Sequence, residues 1–251
     1  MQFSDPPQLL ASEVHIWQAS LQTDHRAADR ANSGFRYALS EDERVRAERY
    51  LFPEHRRRFV ARHGILREIL ARYLQVEPAT VQFEYLELGK PQLARPADAR
   101  LQFNISHSGD LALYAVALDS PVGVDIEIAR PVPDCLALAS RFFSPVEYQG
   151  LLATPPALQE AAFLRCWTRK EAFVKAHGKG LSLPLDGFTV TFDRESPPRV
   201  LDATVADPSE WVLQDVGNEP EYFGSVAVRG NQCQVVRFEW GTEVAPLRRQ
   251  E

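Results

Sequence analysis

The sequence has few cysteines and no long apolar run. Its 251 residues include three cysteines, Cys135, Cys166 and Cys233, which are scattered and form no Cys-x-x-Cys pair. This argues against a disulfide framework or a zinc knuckle, and we expect a protein of a reducing compartment, the cytoplasm. No run approaches the roughly 20 apolar residues of a membrane-spanning helix. The first ten residues also lack the basic and apolar segments of a secretion signal, so we expect no membrane association.

Basic residues are in the minority as well. The 28 Lys and Arg residues are outnumbered by 34 Asp and Glu residues, which gives a formal net charge of -6. We therefore expect no general binding of nucleic acid, although a local basic site is compatible with this charge. The hydrophobic fraction of 45% suits a substantial core and argues against simple disorder. The length fits one large domain or two smaller ones.

The most informative stretch runs from residue 163 to residue 190. Its apolar spacing predicts a buried helix over about 157 to 177, followed by a Gly-x-Gly break and a strand. Lys170 projects into the apolar face of this helix, with Glu171 at the edge and Lys175 one turn further on. A buried helix face rarely carries a cation. Either the head of Lys170 reaches a cleft or solvent, or it meets only a buried acceptor such as a backbone carbonyl.

A second informative segment is the predicted strand 122–128, with the sequence VGVDIEI. Four apolar residues take one face of the strand, and Gly123, Asp125 and Glu127 take the other. Two acids on one strand face lie about 6.5 to 7 Å apart, so both side chains can reach one hard cation such as Mg²⁺. A solvent-facing edge is the alternative. It fits poorly, because the opposite face is wholly apolar.

Arginines are concentrated in two predicted helices of the first half. Ser40 and Glu43 form a capping-box pair that predicts the start of the first helix, which Pro53 ends, and a second helix is expected over about 55 to 75. This cluster suits an anionic ligand, or else it forms a solvated helix face. Its members are Arg44, Arg46, Arg49, Arg56, Arg57, Arg58, Arg62 and Arg67.

The other segments alternate as strands do, with a polar loop through Asn32 and Gly34 after the first of them. A capping box at Ser144 and Glu147 predicts a short helix after the acidic strand. Each half therefore runs strand, two helices, then strands, which suggests an internal duplication. The expected strands are 13–18, 81–88, 101–108, 111–118, 186–192, 199–205, 210–216, 222–229 and 233–239.

Four motifs occur together and in one order. They are GKP at 89–91, NISHS at 104–108, GVDIE at 123–127 and WTRKEAFVK at 167–175. This combination resembles the surfactin-type 4′-phosphopantetheinyl transferases of the W-x-x-K-E-A subgroup, over roughly residues 40 to 190.

The resemblance implies a monomeric α+β fold of two similar halves related by a pseudo-twofold axis. We expect these halves to be residues 1–120 and 121–251, with coenzyme A in the cleft between them and the metal site in the second. The implied reaction moves the phosphopantetheine arm of coenzyme A onto a serine of an apo acyl or peptidyl carrier protein. It releases adenosine 3′,5′-bisphosphate and requires Mg²⁺, for which Mn²⁺ is an alternative.

The resemblance also implies residue roles. Asp125, Glu127 and Glu171 would hold the metal, and Lys175 would lie near the scissile phosphate. The catalytic residues would be Lys175 and Glu171, the latter as a metal ligand or as the base that activates the carrier serine. The implied contacts to coenzyme A are Arg46, Arg58, Lys90, Ser106, His107, Lys170 and Lys175.

These residue types fit the chemistry, since breaking a pyrophosphate linkage accumulates negative charge that a divalent cation and lysines stabilise. Two other interpretations stay open. One is a different magnesium-dependent phosphoryl- or nucleotidyl-transferring enzyme, which does not account for NISHS or for GKGLSLPL at 178–185. The other is a degenerate module that binds coenzyme A or a carrier protein without turnover. The intact acidic residues and Lys175 argue against it.

Overall fold

The computed structural model describes residues 7–22, 35–85, 90–94, 100–178, 180–204 and 206–241. The predicted loop through Asn32 and Gly34 and the end of the predicted strand 81–88 lie outside these ranges. Within them, no helix combines the length and the apolar character needed to cross a bilayer.

Two long helices dominate the helical part. The helices are α1 (Glu41–Glu48), α2 (Pro53–Leu74), α3 (Cys135–Phe142), α4 (Pro145–Ala153) and α5 (Pro156–His177). The capping boxes predicted at Ser40 and Ser144 are both present, at the starts of α1 and α4. Pro53 begins α2 rather than ending α1, because a proline at the first helical position needs no amide donor. Gly178, with φ of 81°, ends α5 in the left-handed conformation that favours glycine.

The strands form two main sheets. The bounds are β1 (Glu13–Ser20), β2 (Phe83–Tyr85), β3 (Pro91–Leu93), β4 (Leu101–Ser108), β5 (Leu111–Leu118), β6 (Val122–Ile128), β7 (Phe188–Val190), β8 (Val200–Ala203), β9 (Trp211–Asp215), β10 (Tyr222–Arg229) and β11 (Gln234–Glu239). In the first sheet the order is β11, β1, β5, β4, and in the second it is β6, β10, β9, while β2 pairs with β3 and β7 with β8. Strands β7, β8 and β9 are shorter than predicted, and β2 and β11 begin later than predicted.

The two sheets repeat one topology. In each, the first strand pairs antiparallel with the last, and the last pairs antiparallel with the strand before it, as in β1, β5, β4 and in β6, β10, β9. A 22-residue helix connects the matching strands in each half, α2 in the first and α5 in the second. The predicted α+β class is confirmed. Strand β11 departs from the expected division, because it comes from the second half of the sequence and pairs parallel with β1.

Three large apolar clusters build most of the core in the described part of the chain, beside a small fourth cluster between α1 and α2. One lies between the two sheets and joins Val14 and Ile16 of β1 to Val124 and Ile126 of β6. The other two lie where α2 packs on the first sheet and where α5 packs on the second. Since the apolar residues of β6 face the inter-sheet core, its alternate residues face α5 and the gap between the halves.

Candidate active site

The candidate site begins with a close contact between β6 and α5. A Cβ atom at Gly123 would lie 2.2 Å from the carbonyl oxygen of Ala172 and 2.2 Å from the amide nitrogen of Ala176. No side chain fits at those distances, so glycine is required for this approach of strand and helix. The contact brings Asp125 of β6 within reach of Lys175 of α5.

Strand β4 holds the other side of β6 through polar side chains at alternate positions. Asn104 Oδ1 accepts a hydrogen bond of 2.9 Å from the amide of Val124. Ser106 Oγ donates to Asp125 Oδ1 at 2.9 Å, and Ser108 Oγ donates to Glu127 Oε2 at 2.8 Å. These contacts give the NISHS motif a structural explanation, because its first, third and fifth residues lie on the strand face that meets β6.

Asp125 is the most enclosed of the expected acidic ligands, with 5% of its surface exposed. Its Oδ1 accepts from Lys175 Nζ at 2.5 Å, and Lys175 Nζ also lies 3.1 Å from Ser106 Oγ. Burial raises the pKa of Asp125, an effect that the Lys175 charge opposes. Its other oxygen, Oδ2, is buried and has no hydrogen-bond partner in the described part of the chain. A buried carboxylate oxygen without a donor favours a nearby cation.

Glu171 lies half-buried at the edge of this group and, among the described residues, has no hydrogen bond or ion pair. Burial raises its pKa, and the charges of Asp125 and Glu127 raise it further against the opposing effect of Lys175. Besides its bond to Ser108, Glu127 Oε2 lies 3.9 Å from Arg130 Nη2. The described ranges contain no group of three or more His, Cys, Asp or Glu side chains that could hold a metal ion. The three acids thus affect one another electrostatically without forming a ready-made cluster.

A cleft of about 630 Å³ separates the two halves at this point. Lys90 lies on its wall and donates from Nζ to the carbonyl oxygens of Lys175 at 2.6 Å and Val122 at 3.2 Å. Burial lowers the pKa of Lys90 to about 8. Residues of both halves line the cleft, namely Lys90, Pro91, Asn104, Ile105, Arg141, Phe142, Glu171, Val174, Lys175, Gly178, Gly180, Leu183, Pro184, Leu185 and Asp186.

The remaining expected contacts to coenzyme A lie around α2. His107 of β4 is next to Arg62, whose Nη1 is 2.6 Å from Nε2 and 3.1 Å from Nδ1 of the imidazole. Partial burial, together with the charges of nearby cations, lowers the pKa of His107 to about 4. Arg58 donates from Nε to Asp110 Oδ1 at 2.6 Å. Arg46 is exposed and lines a separate groove of about 550 Å³ on α1.

Lys170 does not lie in the cleft, and the expected contact of this residue with coenzyme A is wrong. Its side chain is fully buried, and its Nζ donates to both oxygens of Glu147 at 2.7 Å and to the carbonyl oxygen of Phe188 at 2.6 Å. Burial lowers the pKa of Lys170, and Glu147 opposes this. The ammonium therefore belongs to an internal ion pair with Glu147. A phosphate could reach it only if the core opened.

Sequence reasoning missed several residues of this region. Ser108 and Asn104 belong to the NISHS motif. Strand alternation puts Asn104, Ser106 and Ser108 on one face, and this signal could have predicted that they meet the strand with the GVDIE acids. Arg62 was one of eight clustered arginines, and no local signal set it apart. The walls contributed by Arg141 and Phe142 depend on how α3 packs, which no sequence pattern reveals.

Comparison with known proteins relates this chain to one enzyme family. A family profile described as the 4′-phosphopantetheinyl transferase superfamily matches residues 121–228, and one described as 4′-phosphopantetheinyl transferase, N-terminal, matches residues 29–119. The 4′-phosphopantetheinyl transferase HetI of Nostoc sp. is 42% identical over 229 residues, covering 90% of this chain and 92% of the relative. The 4′-phosphopantetheinyl transferase Sfp of Bacillus subtilis is 36% identical over 173 residues, covering 68% and 75%.

Among solved structures, a holo-(acyl-carrier-protein) synthase from Bacillus anthracis in complex with CoA (3′,5′-ADP) matches with a TM-score of 0.36 and 18% identity. The match covers 43% of this chain and 94% of that one. The two profiles together define a protein of the phosphopantetheinyl-transferring class. Given its relatives, the chain belongs to the Sfp-type 4′-phosphopantetheinyl transferases. The predicted family and enzyme class are confirmed.

Proposed function

We propose that this protein transfers the 4′-phosphopantetheine arm of coenzyme A to a serine of an apo acyl or peptidyl carrier protein. The product besides the holo carrier is adenosine 3′,5′-bisphosphate. The observation that carries the proposal is the contact of Lys175 with Asp125 and Ser106, beside Glu171, on a cleft lined by both halves. The carrier and coenzyme A are the partners, and three free cysteines agree with a cytoplasmic site of action.

In this reaction the serine oxygen of the carrier forms a bond to the phosphorus that carries pantetheine. The bond from that phosphorus to the bridging pyrophosphate oxygen breaks, and adenosine 3′,5′-bisphosphate leaves with the electron pair. The serine proton goes to a base, and Glu171 is either that base or a metal ligand. The base role suits a carboxylate whose pKa is raised by burial and which has no competing hydrogen bond among the described residues. Lys175, held by Asp125 and Ser106, stabilises the negative charge of the leaving phosphate.

Asp125, Glu127 and Glu171 would hold Mg²⁺, or Mn²⁺ in its place. The unpartnered Oδ2 of Asp125 and the repulsion among the three carboxylates support this assignment. When bound, the ion supplies positive charge to the pyrophosphate. We assign Ser106 and Lys90 to the phosphate oxygens, because Ser106 Oγ lies 3.1 Å from Lys175 Nζ and Lys90 Nζ contacts the Lys175 carbonyl oxygen.

The test is incubation of the protein with coenzyme A, Mg²⁺ and a panel of apo carrier proteins, followed by intact mass measurement. We expect a mass gain equal to one phosphopantetheine on at least one carrier, and none on the same carrier with its acceptor serine replaced by alanine. Binding of coenzyme A without a mass gain on any carrier would instead support the module without turnover. A nucleotidyl transfer would be revealed by a different mass gain.

A further inference from the structure

A row of three polar side chains crosses the second sheet from the acidic site inward. Ser225 of β10 pairs with Asp125 of β6 on one side and with Asp215 of β9 on the other. Side chains of directly paired residues share one face of a sheet, which here is the face that meets α5. Ser225 Oγ also donates to Asp215 Oδ1 at 3.2 Å. The proposed reaction uses only Asp125 of this row.

The far end of the row, Asp215, is held by Arg169 of α5. Arg169 donates from Nε to Asp215 Oδ1 at 3.0 Å and from Nη2 to Oδ2 at 2.6 Å. Its Nη1 donates to the carbonyl oxygen of Thr191 at 2.6 Å, and only 1% of the residue is exposed. A bidentate pair of a planar guanidinium with a carboxylate fixes the orientation of the two groups as well as their distance.

Helix α5 contacts all three strands of the sheet through polar side chains. Thr168 Oγ1 lies 3.2 Å from Ser225 Oγ on β10, Arg169 binds β9, and Lys175 Nζ contacts Asp125 Oδ1 on β6 at 2.5 Å. At about 100° per residue, Arg169 and Lys175 project about 120° apart, on either side of Thr168. A cation fixed to β9 therefore opposes a roll of the helix that would turn Lys175 away from Asp125.

The closest contact of α5 with β6 offers little resistance to such a roll. It brings Gly123 against the backbone of Ala172 and Ala176, and small residues present few protruding groups that could interlock. A helix with its side chains has a radius of about 5 to 6 Å, so a roll of about 20° moves their tips by about 2 Å. A displacement of that size breaks the hydrogen bond between Lys175 and Asp125.

We infer that Arg169, through its bidentate pair with Asp215, is a positioning residue for the transfer reaction. The pair holds α5 in the rotation that keeps Lys175 on Asp125. This inference rests on the proposed function, because that function assigns Lys175 to the leaving phosphate. The W-x-x-K-E-A motif leaves the position of Arg169 open, so the motif gave this residue no role.

The same helix supplies a matched control one turn earlier. Arg165 is also buried and binds Glu219 with the same fork, from Nε to Oε1 at 2.9 Å and from Nη2 to Oε2 at 2.6 Å. Its Nη1 likewise donates to a backbone carbonyl, that of Phe192, at 3.1 Å. Glu219 lies in the connection between β9 and β10, outside the polar row. A purely structural role predicts equal effects for the Arg165 and Arg169 pairs.

The test is steady-state transfer from coenzyme A to a carrier by the wild type, Arg169→Lys and Arg165→Lys. Arg169→Lys keeps the charge but loses the fork, and kcat should fall by about tenfold or more, since a misplacement of about 1 Å can cost a factor of about 100. The KM for coenzyme A should stay within about twofold of wild type, as should both constants of Arg165→Lys. Thermal unfolding checks the fold, and Asp215→Asn with Glu219→Gln repeats the comparison if a lysine variant does not fold.

A double-variant cycle tests whether Arg169 acts through Lys175. Arg169→Lys should lower kcat by a smaller factor in a Lys175→Met background than in the wild type, because the group that it positions is gone. Losses that multiply fully would overturn the inference. Equal losses of kcat in Arg169→Lys and Arg165→Lys would overturn it as well.

Thermal unfolding with a chelator present provides a cycle that needs no turnover. Asp125→Asn should lower the midpoint less in the Arg169→Lys background than in the Arg165→Lys background, because the contact of Asp125 with Lys175 is already weakened. A wild-type protein that modifies no carrier would overturn the proposed function, and this cycle would then decide the inference by itself. Equal midpoint shifts in the two backgrounds would overturn it.

Discussion

At the scale of single residues, Lys90 gives the site a pH dependence. Its pKa of about 8, set by burial, means that its ammonium loses charge as the pH rises through that value. Coenzyme A should therefore bind more weakly above about pH 8, and bound phosphates will shift this window upward. The affinity of the Lys90→Arg variant for coenzyme A should depend little on pH in this range, because a guanidinium stays charged. Calorimetry across the window checks both, and an equal pH dependence in the variant would contradict the assignment.

The same pKa shift also affects folding stability. As the pH rises, it makes folding more favourable, whereas it weakens the binding of coenzyme A. The folded-state pKa of Lys90 lies below its ordinary value of 10.5, so the unfolded chain holds the proton more tightly between about pH 8 and 10.5. Over that window this residue makes folding more favourable as the pH rises. The Lys90→Arg variant lacks this contribution, which chemical denaturation at two pH values would show.

The three acids should differ in what they contribute to folding. Asp125 and Glu127 have partners in Lys175 and Ser108, whereas Glu171 has none among the described residues and is repelled by both acids. Glu171→Gln should therefore raise the thermal midpoint in the absence of divalent metal, by about 2–4 °C for each kcal/mol of relieved repulsion. Asp125→Asn should lower it, since Lys175 loses its carboxylate. Thermal unfolding with a chelator present measures both effects.

Added Mg²⁺ provides the complementary readout. It should raise the midpoint of the wild type and have a smaller effect on Glu171→Gln, because a ligand stabilises the state that binds it. If turnover of Glu171→Gln recovers at high Mg²⁺ or with Mn²⁺, Glu171 acts as a metal ligand. If it stays slow, Glu171 acts as the base. A midpoint of the wild type that does not respond to Mg²⁺ would contradict the metal site.

At the scale of elements, one buried ion pair recurs in both halves. Glu43 in the first turn of α1 binds Arg67 of α2 at 2.6 Å, and Glu147 in the first turn of α4 binds Lys170 of α5 at 2.7 Å. Arg67 and Lys170 occupy the same position of their helices, counted from Pro53 and Pro156. Each cation also lies over an aromatic ring of the following strand, Phe83 and Phe188 respectively. In each half, therefore, the pair fixes a short helix to a long one.

Removing either cation should be costly for folding. Lys170→Met and Arg67→Met should each lower the free energy of unfolding by about 3–5 kcal/mol, because a carboxylate is left buried without its partner. The matched control is Arg229→Met, whose exposed pair with Glu210 should contribute about 1 kcal/mol or less. Denaturant unfolding measures all three.

A double variant separates ion pairing from packing. Lys170→Met with Glu147→Gln should recover part of the loss, because no net charge then remains buried. If Lys170→Met instead keeps the wild-type free energy of unfolding and loses affinity for coenzyme A, the ammonium lies in the cleft. That result would contradict the buried position described above.

At the scale of the whole molecule, the two halves have the same topology but different chemistry. Tyr114 and Ser225 are the fourth residues of β5 and β10, and they pair with Trp17 and Asp125 respectively. A tryptophan thus stands in the first half where the second has its central acid. Trp17 stacks on Phe238 of β11 at 4.5 Å between ring centres. Strand β11 covers this part of the first half, and the second half has the acidic site.

A cleft with one wall from each half predicts that a single chain is sufficient for activity. We expect sedimentation of the purified protein to show one species with the mass of one chain, and specific activity to be independent of protein concentration. Activity that falls on dilution together with dissociation of a dimer or trimer would contradict this.

The sequence by itself determined the α+β class, the family and most of the element order, although it predicted neither α3 nor β3 and so two helices instead of three in the second half. Helix and strand periods, capping boxes and glycine breaks act over a few residues, so they can be read without a structure. The four motifs identified the family because each is a short local sequence and because they occur in a fixed order. The acids of β6 and α5 were found in the same way, whereas the need for glycine at Gly123 followed only from its distances to α5.

Only the tertiary structure decided which charge meets which. Lys170 pairs with Glu147 from another helix, Arg62 meets His107 from another element, and β11 crosses to the sheet of the first half. These contacts join residues far apart in the chain, and many pairings of similar charge were compatible with the same sequence pattern. The choice among them depends on packing, because burial excludes water from a charge and leaves it stable only where the folded chain supplies a partner.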